Sequence, residues 1–145
     1  MAERSARNTA MDLLARRDHS RKQLHEKLHK RGFDSAEIEA ALDALQRDRL
    51  LDEQRYADSY MYQRVNKGFG PLRIRQELRE RGVSSEVIST LLEVYSDEWH
   101  ESMRQQRAKK FGAEIPEDQR ERMKQARFLQ NRGFSPESVM RLFRR

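Results

Sequence analysis

ELRERGVSSEVI, residues 77–88, carries the pattern on which the whole chain is built. Basic residues (Arg79, Arg81) run into a glycine, an apolar residue and two serines follow, and an apolar position returns at Ile88. KLHKRGFDSAEI (27–38) and FLQNRGFSPESV (128–139) repeat the same order. Their glycines, Gly32, Gly82 and Gly133, are separated by 50 and 51 residues. Each follows an arginine (Arg31, Arg81, Arg132) and precedes an apolar residue (Phe33, Val83, Phe134). Leu28, Leu78 and Leu129 stand four residues before the glycine; Ile38, Ile88 and Val139 stand six after it, and Leu42, Leu92 and Phe143 ten after it. Matched apolar positions at a period of this length define a repeat architecture.

Local chemistry turns the frame into helices. A glycine after a basic helical turn is free to take the left-handed conformation that ends a helix, so Gly32, Gly82 and Gly133 are structural caps. Asp34, Ser84 and Ser135 are the N-caps of the helices that follow. Asp34 has Glu37 at capping-box spacing, and Ser135 has Pro136 at the first helical position. The helix before the glycine starts at Ser20 with Gln23 in one copy and at Gly70 with Pro71 in another. A longer first helix completes each unit, over about residues 3–16, 53–66 and 97–110, with Asp52 and Ser96 as caps of the last two. Tyr56 with Tyr60, and Trp99 with Met103, have the spacing of a buried stripe, which assigns these aromatics to the core. GAEIPEDQ (112–119) is the only long loop. The expected fold is all-α: three tandem three-helix repeats, over residues 1–50, 51–95 and 96–145, forming an elongated, curved helical array.

The same alignment disposes of HEKLH (25–29), which has the H-E-x-x-H spacing of a zinc-protease helix. His25 aligns with Arg75 and Ala126, His29 with Arg79 and Gln130, and Glu26 with Gln76 and Arg127. Leu28 holds the core position between them, so both imidazoles face solvent, and neither His19 nor His100 supplies a convincing third ligand. No metal and no cofactor is expected. No nucleophile–base pair, carboxylate dyad or phosphate loop emerges either, so the reading is of a non-enzyme.

Composition agrees with a helical protein. Charged residues make up 37% of the 145, the hydrophobic set 36%, with 6 Gly, 3 Pro and no Cys. Absence of cysteine fits a reducing cytosol. There is no apolar run of membrane-spanning length and no signal-like apolar segment at the N-terminus, so a cytoplasmic protein with no membrane partner is expected.

The net charge of +6 is sorted by helix. The second helices are basic, and the third helices of the first two units are acidic (Asp34, Glu37, Glu39, Asp43; Glu86, Glu93). The helix macrodipole accounts for Lys30, Arg31, Arg79 and Arg81 near C-termini. It does not account for Arg21, Lys22, Lys27, Arg64, Lys67, Arg73, Arg75, Arg122, Lys124 and Arg127. Stacking the units would align these ten into a basic stripe for a long polyanionic partner, with Arg64, Lys67, Arg73 and Arg75 exposed across one broad surface.

LDEQRYA (51–57) and RVNKGFGPLRIRQELRERGV (64–83) resemble the signature of the RecX regulatory proteins. The pattern K-G-[FY]-G-P-x-x-I-x-x-E-L-x-x-[KR]-G is matched by Lys67, Gly68, Phe69, Gly70, Pro71, Ile74, Glu77, Leu78, Arg81 and Gly82. RDHSRKQLHEKLHKRGF (17–33) and KQARFLQNRGFSPESV (124–139) resemble the first and third repeats, with Gln23 where the family more often has Glu. The resemblance implies three tandem three-helix repeats and a regulator that lies along the groove of RecA filaments on single-stranded DNA. It implies suppression of ATP hydrolysis, strand exchange and the coprotease activity that triggers the SOS response. It also implies a monomer that meets DNA within the filament or weakly alone. The competing reading is an independent DNA-binding module that acts by competing for DNA.

Overall fold

A computed structural model describes residues 4–144. The expected helix start at residue 3 and the outer ends of the first and last repeats lie outside those residues. Among the described residues there are nine α-helices and no strand. The first unit contains α1 (Ala6–Arg16), α2 (Arg21–Lys30) and α3 (Ser35–Arg47). The second contains α4 (Glu53–Asn66), α5 (Pro71–Glu80) and α6 (Ser85–Val94), and the third α7 (Trp99–Phe111), α8 (Gln119–Arg132) and α9 (Pro136–Phe143).

Each unit closes on its own small core. Leu28, Leu78 and Leu129 are fully buried, as are Ile38 and Val139, and Ile88 nearly so. Leu24 and Ile74 fill the position one turn earlier; Gln125 replaces them in the third unit and is also buried. Buried Arg107 on α7 explains that exception. Its guanidinium donates to Gln125 Oε1 (3.0 Å) and to the carbonyls of Gly112, Ala113 and Glu114 (2.9, 3.0 and 3.2 Å). A buried charge is tolerable only when its donors are satisfied in this way. The interaction also folds the 112–118 loop against the helices. Leu51, at the head of the second unit by sequence, is buried in the first core, and Trp99 packs against both the second and third.

The glycine caps have the required geometry. Gly32, Gly82 and Gly133 have φ of +91°, +82° and +106°. The residue after each donates its N–H back to the core leucine: Phe33 to Leu28, Val83 to Leu78 and Phe134 to Leu129, at 3.3, 3.1 and 3.2 Å. That six-to-one bond defines a Schellman ending. Ser20 and Gln23 form a reciprocal capping box, and Asp52, Ser84 and Ser135 each cap through the side chain.

Two expected caps are absent. Asp34 precedes α3 without a side-chain cap, and Glu37 instead reaches the first unit's opening turn, accepting from the Ala6 N–H at 3.0 Å. Ser96 lies in a turn that links α6 almost directly to α7, whose first residue follows Glu98. No extended residue is left there for a serine cap to occupy.

The units join through their second helices. Gly70 N–H donates to the Arg132 carbonyl (2.8 Å) and Leu72 N–H to the Gly133 carbonyl (2.9 Å), so the C-terminus of α8 feeds the N-terminus of α5. The C-terminus of α5 in turn meets the N-terminus of α2, where Lys22 Nζ donates to the Glu80 carbonyl at 3.0 Å. Carbonyl ends face amide ends, satisfying groups each helix alone would leave open. The result is a head-to-tail spine of α8, α5 and α2. A compact monomer of 17.3 kDa would expose about 7800 Å²; this chain exposes 9709 Å², as an elongated array should.

Candidate binding face

The clearest cluster on the spine surrounds Phe69, between α4 and α5. The guanidiniums of Arg64, Arg73 and Arg132 lie 3.7, 4.4 and 4.8 Å from its ring centroid. Two of these three cations share one acid. Glu77 accepts from Arg64 Nε and Nη2 (2.9 and 2.8 Å), from the Tyr60 hydroxyl (3.0 Å) and from Arg73 (3.4 Å). Burial pushes the Glu77 carboxyl up, but Arg64, Tyr60 and Arg73 outweigh it and hold it below the usual carboxylate value. Tyr60 is raised to about 12, by burial first and then by its hydrogen bond to Glu77. Arg81 covers the Tyr60 ring at 4.5 Å, and Arg132 bridges to the third unit by donating to the Lys67 carbonyl (3.1 Å). Phe69 and Gly70 therefore fasten the second unit to the third while gathering positive charge at the joint.

The ten cations singled out by sequence do not behave alike. Lys67, Arg75, Lys124 and Arg127 are exposed and make no ion pair among the described residues. Lys22 is exposed but anchors the first junction through Glu80. Arg21 is spent on the acidic helix, pairing with Glu39 (2.6 Å) and Asp43 (2.9 Å) of α3. Arg122 is half-buried on the Pro116 carbonyl at 2.6 Å. Lys27 is half-buried and donates to His19 Nε2 (2.8 Å); burial, then Arg17, Arg31 and Arg16, lowers its pKa.

Arg64 corrects the expectation of exposure: its side chain is 18% exposed, locked to Glu77 and stacked on Phe69. Arg73 and Arg75 correct the expectation of one broad surface. At 100° per residue they diverge by about 200° around α5. Arg73 turns to Phe69 and the Asn131 carbonyl of α8, and Arg75 lies at the position that His25 occupies in the first unit. His25 Nε2 lies 3.3 Å from Glu39 of α3, which places that position on the acidic flank.

Sequence reasoning also missed members of the basic face. Arg16, Arg17 and Arg31 surround Lys27, Arg81 lies over Tyr60, and Lys110 and Arg132 flank Phe128. Arg31 and Arg81, whose positions the helix dipole already accounts for, belong to this face as well. Residues at the ends of α1 and α7 share this face because each first helix runs its C-terminus beside the second helix.

The architecture defines the class of tandem three-helix-repeat proteins. Family profiles identify three consecutive modules in this chain: the first, second and third three-helix domains of RecX, over residues 6–45, 52–92 and 96–143. Proteins named regulatory protein RecX from Halorhodospira halophila and Pseudomonas fluorescens are 45% and 46% identical over 138 residues. The matches cover 95% of this chain and 86% and 89% of theirs. The crystal structure of RecX from Lactobacillus salivarius superposes with a TM-score of 0.80, covering 95% of this chain and 94% of that one; at 21% identity it speaks to fold alone. A second RecX crystal structure gives 0.83 at 26% identity, covering 95% and 70%. The chain belongs to the RecX family of regulatory proteins.

Proposed function

We propose that this protein is a non-enzymatic regulator of the RecA recombinase, lying along the groove of the RecA filament on single-stranded DNA. One observation carries the reading: α8, α5 and α2 run head to tail, an arrangement in which cations of three units can act along one extended line instead of as three isolated patches. A long face with periodic positive charge fits a long helical partner that carries DNA. The name its relatives carry, regulatory protein, supports a role without catalysis. On this reading the protein acts in the cytoplasm, as a monomer, by suppressing RecA ATP hydrolysis, strand exchange and coprotease activity.

The test is RecA ATPase on single-stranded DNA with purified protein added at rising concentration. Suppression should saturate near the binding capacity of the filament. Undiminished hydrolysis on filaments carrying the bound protein would refute the regulatory claim. The unpaired cations Lys67, Lys124 and Arg127 also favour direct contact with DNA. If that contact alone acted, by competition for DNA, inhibition would track affinity for naked strands and collapse as salt rises.

A further inference from the structure

Between the first and second units, beside the spine, lies a polar cleft of about 390 Å³. Arg17 and Gln23 line it from the first unit; Tyr60, Gln63 and Arg81 line it from the second. Its chemistry is dominated by donors. Arg81 spends one nitrogen on the Glu77 carbonyl (3.0 Å), and Arg17 reaches only its neighbour's carbonyl (3.3 Å). Gln23 Oε1 accepts from Ser20 N–H in the capping box, which leaves its amide nitrogen as the group that can donate elsewhere. Tyr56 also lines the cleft. The one acid in the lining, Asp18, is engaged by Arg55 at 3.4 Å.

The surroundings strengthen the positive field. Arg17 joins Arg16 and Arg31 around Lys27, and nearby Glu77 is occupied by Arg64, Tyr60 and Arg73. The junction itself is lightly held. Apart from the connecting segments, the second and third units share two backbone hydrogen bonds, whereas among the described residues the first and second share none. An acceptor-rich group in the cleft would add a bridge to those of Lys22 and Arg55, because guanidiniums from both units could grip it in the planar, multidentate way that suits phosphate.

We propose that this cleft is a phosphate site that takes one phosphodiester of a single strand, with Arg17 and Arg81 as its two arms and Gln23 donating from the wall. The inference deepens the regulator reading by assigning the first-to-second junction as a point where nucleic acid is held.

Its test uses the full chain without RecA: anisotropy of a labelled oligothymidylate across a salt series, for wild type, Gln23→Glu, Arg17→Gln and Arg79→Gln. Gln23→Glu keeps the capping box, which accepts either residue, and sets a carboxylate facing the bound phosphate. Affinity at low salt should fall about ten-fold in Gln23→Glu, with melting unchanged. In Arg17→Gln the slope of log affinity against log salt should shrink by about 0.7, the value of one single-strand phosphate contact. Arg79→Gln removes an exposed charge outside the cleft and should move the slope less. Equal slopes for Arg17→Gln and Arg79→Gln, or full affinity in Gln23→Glu, would overturn the site. Inorganic phosphate, against chloride of equal ionic strength, separates the two sources of the group. Stabilisation by phosphate that Gln23→Glu abolishes supports the site; the same stabilisation with an unmoved oligonucleotide slope overturns the assignment to a strand. Unchanged slopes alongside intact suppression of RecA ATPase would remove this site and leave the regulator reading standing.

Discussion

Gly70 and Gly133 meet across the junction of the second and third units. A Cβ on Gly70 would lie 2.5 Å from the carbonyl carbon of Gly133. With φ at −94°, the Gly70 backbone would suit any residue; only the neighbour excludes one. Gly70→Ala should therefore part the junction at an overpacking cost of about 1–3 kcal/mol. Gly32 is the counterpart, with φ of +91° and open space where a side chain would go. Gly32→Ala should carry only the left-handed penalty, about 1 kcal/mol, and leave the junction closed. Urea titration measures both, and hydrogen exchange at Gly70 and Leu72 N–H tells them apart. Retained protection at those amides in Gly70→Ala would mean that the glycine contact is dispensable.

Arg64 and Glu77 are both largely buried, at 18% and 17% side-chain exposure. Removing one partner strands the other, so Arg64→Ala should destabilise by on the order of 3 kcal/mol. Arg64→Lys should recover only part of this, because an ammonium cannot reproduce the two-pronged bond and the stack on Phe69. The Glu77 carboxyl is held below its ordinary value of 4.5 in the folded state. Its contribution is complete above that value and is lost as pH falls through the lowered one. Denaturation of Glu77→Gln should therefore lose stability at neutral pH and converge towards wild type in acid. Parallel curves from pH 7 to pH 3 would show that the pair contributes nothing.

His19 gives a second pH dependence, in a higher window. Its ring is buried, with Nδ1 2.9 Å from the Arg17 carbonyl and Nε2 facing the Lys27 ammonium at 2.8 Å. Burial, followed by the nearby positive charges of Arg17 and Lys27, depresses its pKa below the ordinary 6.5 despite the raising effect of the carbonyl and Asp18. Above 6.5 both folded and unfolded rings are neutral and stability is full. Below it the unfolded chain takes up a proton that the folded one resists, so stability declines as pH falls through the lowered value. The difference in urea midpoint between wild type and His19→Asn should shrink from pH 7.5 to pH 5.5. A difference that stays constant would refute the depressed value.

How far the sequence carries depends on the range of the interactions. Caps and core periodicity are local, so Gly82, Leu78 and Ile88 sufficed to place helices and units. Charge on a helix surface is local only in identity. Whether Arg64 faces solvent depends on Glu77, thirteen residues away, and whether Arg21 is free depends on α3. Arg107 is the extreme case: its buried role needs Gln125 and a loop that has no helical period. Phe69 sat in plain view within the family motif. Its stacked arginines come from three separate segments, and no spacing rule links Arg64, Arg73 and Arg132.

The binding face is best probed with charges that serve no structural role. Arg73 is unsuitable because its Cβ lies against Gly133 and its guanidinium donates to the Asn131 carbonyl. Glu37 and Glu39 are unsuitable as controls, since one receives the Ala6 N–H and the other pairs with Arg21 and His25. Lys67, Lys124 and Arg127 are exposed, and the last two share a face of α8 at i,i+3 spacing. Reversing all three to Glu should change stability by less than about 1 kcal/mol, as exposed charges generally do. The same variant should need about 10-fold more protein to suppress RecA ATPase, because repulsion replaces the attraction that guides docking. Glu86→Lys with Glu93→Lys, two exposed acids of α6 with no ion pair among the described residues, is the matched control and should suppress as wild type does. Loss of suppression in that control, with the triple variant still active, would move the binding face from the basic spine to the acidic third helices.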